Sequence, residues 1–145
     1  MVFLHLIRHG ESVLDNLTPN GREQVRLASD RWLKGYDQGT VRVFHAPAGR
    51  TRTSSEVFTY TTKIPSVECP LLAIAHYHDR EKHRAFANMI ANSARHIVLI
   101  GHDETTRWCD AIVFRCFRKL YKKGPPEVPL GGLLRYTEQG GYELI

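Results

Sequence analysis

The run Val2-Phe3-Leu4-His5-Leu6-Ile7 narrows the folding problem more than any other stretch, because it is almost continuously apolar and ends abruptly at Arg8-His9-Gly10. A strand with one wet face alternates apolar and polar residues. A run without alternation belongs in a sheet covered on both faces, the usual setting of parallel strands. Val41-Arg42-Val43-Phe44-His45 and His96-Ile97-Val98-Leu99-Ile100 predict two further strands, and residues 66–68 a short one.

Helical segments separate the strands. Thr18 as N-cap and Pro19 at the first helical position predict a helix to about Lys34, stopped at Gly35, with Val25, Ala28, Trp32 and Leu33 facing inward. Asn20 with Glu23 offers an alternative capping box. A second helix runs from Arg50 to about Tyr60 and a third over 81–94, with Ala85, Phe86, Met89 and Ile90 at helical spacing. A fourth carries the apolar stripe Trp108, Ile112, Val113, Cys116, Phe117 and Leu120, and residues 133–137 and 142–145 read as a closing hairpin. The expected fold class is α/β: a single three-layer domain over 1–145, with a mostly parallel central sheet and helices on both faces.

A chain of 145 residues is long enough to bury a core without a metal or disulfide staple. Cys69, Cys109 and Cys116 are odd in number and lack ligand-like spacing, so they read as small buried hydrophobes. Nothing resembles a leader or a membrane span, which makes a cytoplasmic location and no membrane partner the expectation. The net charge of +5 suits anionic substrates. No basic stripe is interleaved with aromatics, so nucleic acid is not an expected partner, and Arg118-Lys119-Leu120-Tyr121-Lys122-Lys123 reads as the charged end of a helix.

The three strand ends carry the chemistry. In a parallel sheet, ligands bind beyond the carboxyl ends of the strands. Arg8 and His9 follow the first strand, Arg50 the second after Ala46-Pro47-Ala48-Gly49, and His102 the third; Arg52 is an alternative register for the second arginine. Two guanidinium forks can neutralise phosphoryl oxygens while a positioned imidazole attacks phosphorus. Cationic neighbours should keep His9 unprotonated, and a backbone carbonyl on its other ring nitrogen would fix the tautomer.

Leu6-Ile7-Arg8-His9-Gly10-Glu11 resembles the Arg-His-Gly motif of the histidine phosphatase superfamily, with its phosphoglycerate-mutase-like fold. Pro47-Ala48-Gly49-Arg50-Thr51-Arg52-Thr53-Ser54 is similar to the segment around the family's second arginine, Val98-Leu99-Ile100-Gly101-His102 to that of its second histidine, and Leu17-Thr18-Pro19-Asn20-Gly21-Arg22-Glu23-Gln24 to its first helix start. The small size and the first helix look like the compact bacterial phosphohistidine phosphatases. The resemblance implies that His9 is phosphorylated, that Arg8, Arg50 and His102 bind and polarise the phosphoryl group, that water then attacks phosphohistidine, and that neither metal nor cofactor takes part. The partner it implies is a phosphorylated substrate, either phosphohistidine on a protein or a small sugar or nucleotide phosphate ester. A non-catalytic phosphoprotein-binding module is the rival from another class.

Two departures from the family pattern shape the expectation. Leucine stands in Cys69-Pro70-Leu71-Leu72 where many members place an acidic proton donor. Asp103 is the nearest replacement, or else a helix cap, and Glu68, His78 and Asp79 are further candidates. A missing donor handicaps alkoxide leaving groups, whose conjugate acids have pKa near about 16, far more than imidazole at about 6.5. The second departure is Asp15, at a place where the family often has an asparagine touching phosphate; either it turns toward an arginine or Asn16 takes the role. His76, His78 and Asp79 read as a loop or pocket rim, His5 as structural, and His45 as close enough to the edge to touch a ligand.

Overall fold

The computed structural model describes residues 2–91, 93–106, 127–136 and 142–145. The fourth predicted helix, with Cys109 and Cys116, lies outside them. Along the chain run β1 (Phe3–Arg8), a small hairpin of β2 (Ser12–Val13) and β3 (Asn16–Leu17), α1 (Pro19–Lys34), β4 (Val41–His45), α2 (Gly49–Thr62), β5 (Val67–Glu68), α3 (Arg80–Ile90), β6 (His96–Gly101), β7 (Leu133–Tyr136) and β8 (Tyr142–Leu144). The main sheet has the order β5-β4-β6-β1-β7-β8. β5, β4, β6 and β1 are mutually parallel, and β7 and β8 add an antiparallel edge. The fold is the expected α/β arrangement.

Strand periodicity divides the core between the two faces. Leu4, Leu6, Phe44, Ile97 and Leu99 point to the side covered by α3, through Phe86, Ala87 and Ile90. Ile7, Val43, Val98 and Ile100 point to the side covered by α1 and α2, through Ala28, Trp32 and Phe58. Covering the strands on both faces is what the almost continuous apolar runs of β1 and β6 require.

The helix signals hold for α1. Thr18 accepts a hydrogen bond from the Gly21 N–H at 3.0 Å, Pro19 opens the helix, and Gly35 ends it. In α3 two of the four apolar residues at helical spacing, Phe86 and Ile90, are buried, whereas Ala85 and Met89 are exposed. Met89 is 51% exposed, and the buried residues are His83, Phe86, Ala87 and Ile90. Those four follow the i, i+3, i+4, i+7 rule, and counting His83 as polar shifts the phase of the sequence pattern.

The close approach of β1 to α1 depends on two glycines. A Cβ on Gly10 would lie 2.2 Å from the carbonyl oxygen of Gly21, and one on Gly21 would lie 2.1 Å from that of Glu11. The turn after β1 is therefore seated directly on the backbone of the first helix.

Candidate active site

The register of the sheet assembles the site. β1 and β6 pair with Arg8 opposite Gly101, so the next residues, His9 and His102, leave neighbouring strands at the same level. The His9 N–H donates to the Gly101 carbonyl at 2.8 Å, and the imidazole centroids are 5.4 Å apart at 70°. Both rings are buried, His9 at 8% and His102 at 3% exposure.

Nδ1 of His9 lies 2.8 Å from the Gly10 carbonyl oxygen, an arrangement in which Nδ1 carries the proton and Nε2 keeps a lone pair. Burial, more than the Arg50 and Arg8 charges, holds the His9 pKa below the usual histidine range. Burial also takes His102 down to about 4, with help from Arg50 and His9. Both shifts favour the neutral imidazole.

The arginines are held differently. Arg8 donates through Nη1 to the Val128 carbonyl at 2.6 Å. Arg50, in the first turn of α2, pairs with Asp15 at 3.3 Å. Nε of each arginine and Nδ1 of His102 are buried without a partner among the described residues. Buried polar atoms with no partner are costly and uncommon in an interior, so these nitrogens mark a place where a polar ligand fits.

The supporting residues were not anticipated in the sequence. Ser54 joins α2 to the His9 turn: its hydroxyl donates to the Arg50 carbonyl at 2.7 Å and accepts from the Gly10 N–H at 3.3 Å. Thr105 accepts from the His102 N–H at 2.9 Å. The signal that could have found them is the obligation of every buried backbone N–H at a strand end to find an acceptor.

No protein-family model and no curated protein matches the sequence. Solved structures do match the fold over nearly the whole chain. The protein histidine phosphatase SixA in complex with tungstate is similar at a TM-score of 0.72 and 22% identity, over 99% of this chain and 94% of that one. A SixA protein from Agrobacterium tumefaciens aligns at a TM-score of 0.66 and 14% identity, over 99% and 95% of the two chains. A mycobacterial glucosyl-3-phosphoglycerate phosphatase aligns at 0.69 and 12%, over 100% and 98%. The fold is that of the histidine phosphatases.

On this histidine phosphatase fold, His9 and His102 leave adjacent strand ends with their rings 5.4 Å apart, Arg8 ends the strand that presents His9, and Arg50 is tied to the same turn through the Ser54 hydroxyl. Arg52 faces elsewhere and is hydrogen-bonded to Glu68. His45 is turned away as well: its Nδ1 is 2.7 Å from the Ser66 hydroxyl and its Nε2 is 3.8 Å from Glu68, on a groove of about 610 Å³ that Arg52 and Tyr60 also line.

The candidate acids have structural partners. Asp103 accepts from the Val128 N–H at 3.0 Å, Asp79 caps α3 by accepting from Glu81 and Lys82, and His78 packs against the Tyr77 ring. Asn16 is exposed and donates to the Leu14 carbonyl of its own hairpin, whereas Asp15 reaches Arg50. The hairpin turns at Leu14 and Asp15, whose φ values of 49° and 64° are left-handed. Such conformations cost about 1 kcal/mol or more per non-glycine residue, so the Asp15 contacts must help to hold the turn.

Among the described residues no cluster of three or more His, Cys, Asp or Glu side chains could hold a metal ion, and no helix is long and apolar enough to cross a membrane.

Proposed function

We propose that the protein is a phosphatase acting through a phospho-His9 intermediate, and that phosphohistidine on a protein is the substrate class its site suits best. The observation that carries this reading is the His9 ring, fixed through Nδ1 to Gly10, with Nε2 free of any hydrogen-bond partner among the described residues and beside His102. Nε2 attacks phosphorus, a P–N bond forms, and the bond from phosphorus to the leaving group breaks. The leaving group keeps the electron pair: an imidazole whose other ring nitrogen already carries a proton departs neutral, whereas a more basic group would have to take a proton from solvent. Water then attacks the phosphohistidine, the P–N bond breaks with its electrons returning to the ring, and inorganic phosphate departs. Arg8 and Arg50 neutralise the oxygens throughout, and His102 hydrogen-bonds one of them. The balance calls on no metal.

The leaving group follows from the acids. Asp103, Glu68 and Asp79 each accept hydrogen bonds from within the protein, so a leaving group that needs little protonation is favoured. Imidazole meets that condition better than an alkoxide.

Incubation with labelled phosphohistidine protein should trap an acid-labile, base-stable phosphoenzyme in the wild type and none in His9→Ala, with sugar phosphates turned over far more slowly. If wild type and His9→Ala are equally inert on an activated aryl phosphate while both still bind phosphate, the protein is a binding module.

A further inference from the structure

A negative side chain at the rim of an anion pocket needs a physical reason. Oδ2 of Asp15 accepts from the Gly49 N–H at 2.7 Å, and Oδ1 accepts from the Arg50 N–H and from Arg50 Nη1, both at 3.3 Å. These are the donors a phosphoryl group would use: the N–H groups that open a helix and a guanidinium fork. Ala48 offers no side-chain acceptor and the first turn of α2 holds no acidic residue; Thr51 Oγ1 accepts from the Ala48 N–H at 3.1 Å, which leaves the Gly49 and Arg50 N–H groups to Asp15. The turn into α2 is shaped around the aspartate, since a Cβ on Gly49 would lie 2.5 Å from the Asp15 carbonyl oxygen and 2.7 Å from Oδ2.

A second observation is independent of this contact. His102 is 97% buried by its 3% exposure, and its Nδ1, like Nε of Arg8 and of Arg50, lacks a partner among the described residues. Buried hydrogen-bonding capacity is left unfilled beside His9, while the Gly49 N–H and the Arg50 donors are already occupied by an internal carboxylate. The helix N–H groups hold that carboxyl below the usual carboxylate range, so it stays charged, and its field reaches both His9 and His102.

We propose that Asp15 is the resident anion of the phosphate pocket and competes with the phosphoryl group for Arg50 and the start of α2, thereby setting how tightly inorganic phosphate is held. This rests on the phosphatase reading above. The Asp15 side chain is 49% exposed, which makes the contact a weak surface pair that a phosphoryl group can displace. A phosphoryl group on a larger substrate has other contacts to help it displace the carboxylate. Free phosphate has only the pocket and is released as Asp15 returns. Asp15 is on this account a specificity-determining residue that favours tethered phosphoryl groups over the free product.

Asp15→Asn is the informative variant, because asparagine keeps an acceptor for the Gly49 N–H and tolerates left-handed backbone while losing the charge. Calorimetric titration with inorganic phosphate should show affinity about fivefold higher in Asp15→Asn than in wild type, with a matching fall in the phosphate inhibition constant against an activated aryl phosphate. Glu143→Gln, which removes an equal charge from the pair with Arg135, should stay within about twofold of wild type, separating a local effect from net charge. Unchanged or weaker phosphate binding in Asp15→Asn overturns the proposal and makes Asp15 a residue that merely positions Arg50. If wild type binds phosphate no better than Arg8→Ala, the phosphatase reading itself fails and this inference falls with it.

Discussion

Arg8 and Asp103 hold the same residue from two sides: Nη1 of Arg8 donates to the carbonyl of Val128, and the carboxylate of Asp103 accepts from its N–H. Val128 is itself fully buried in the core, and three residues later the Gly131 N–H donates to the His9 carbonyl at 2.9 Å. The segment that leads into β7 thus braces the turn that presents His9.

The Asp103 contact predicts a split between two substitutions. Hydrogen bonds to charged groups contribute about 1.5–3 kcal/mol, so Asp103→Ala should lose stability of that order in denaturant unfolding. Asp103→Asn retains an acceptor and should lose less than half as much. Its turnover of an unactivated phosphate ester should remain within about threefold of wild type, as expected of a brace; a loss of about a hundredfold or more would instead assign Asp103 to proton transfer.

Gly21 reverses an ordinary rule. Glycine to alanine inside an exposed helix usually stabilises by about 1 kcal/mol. Here the added methyl would meet the Glu11 backbone at 2.1 Å, and backbone cannot move aside as a side chain can. Gly21→Ala should therefore destabilise by about 1–3 kcal/mol, lowering the thermal midpoint and the affinity for phosphate together.

The two arginines of α2 make opposite predictions. Arg50→Ala should weaken phosphate binding by more than about tenfold, because a charge-assisted contact in the pocket is lost. Arg52→Ala should leave it within about threefold, since its 54% exposed side chain forms a surface pair with Glu68.

Acid should destabilise the fold in a defined window. Burial lowers His5 to about 3 and His102 to about 4, and His9 and His45 are lowered as well, mainly by burial. The unfolded chain binds these protons at about pH 6.5, so between there and about pH 4 it holds more protons than the folded chain. Their contribution is complete above about pH 6.5 and is lost as pH falls through the window. The paired carboxylates Asp15 and Asp37 are pushed below the usual carboxylate range, so their contribution is lost at lower pH. Urea unfolding at pH 7, 5.5 and 4.5 should show the decline, and His5→Gln, remote from the site, should flatten it.

The features readable from the sequence were those with local causes. Three largely apolar runs specify buried strands, Thr18-Pro19 specifies a helix start, and parallel strands necessarily bring Arg8, His9 and His102 to one edge. The phase of α2 was not readable: residues two apart on a helix face nearly opposite sides, and the Ser/Thr-rich stretch lacks the apolar stripe that would choose between Arg50 and Arg52. The β2–β3 hairpin was also hidden. Its left-handed turn falls on Leu14-Asp15 without the glycine that normally announces one, and the contact of Asp15 with α2 bridges 34 residues of sequence.

The pairing of Arg8 with Gly101 has a consequence for how such a protein can change. The two imidazoles inherit their separation from the hydrogen-bond ladder of adjacent strands, spaced about 4.8 Å apart, and not from the loops that surround them. Those loops could be lengthened, recut or exchanged while the ladder keeps its count. The chemistry travels with the sheet and the choice of substrate with the rim, so a lineage or a designer can rewrite the second without re-solving the first.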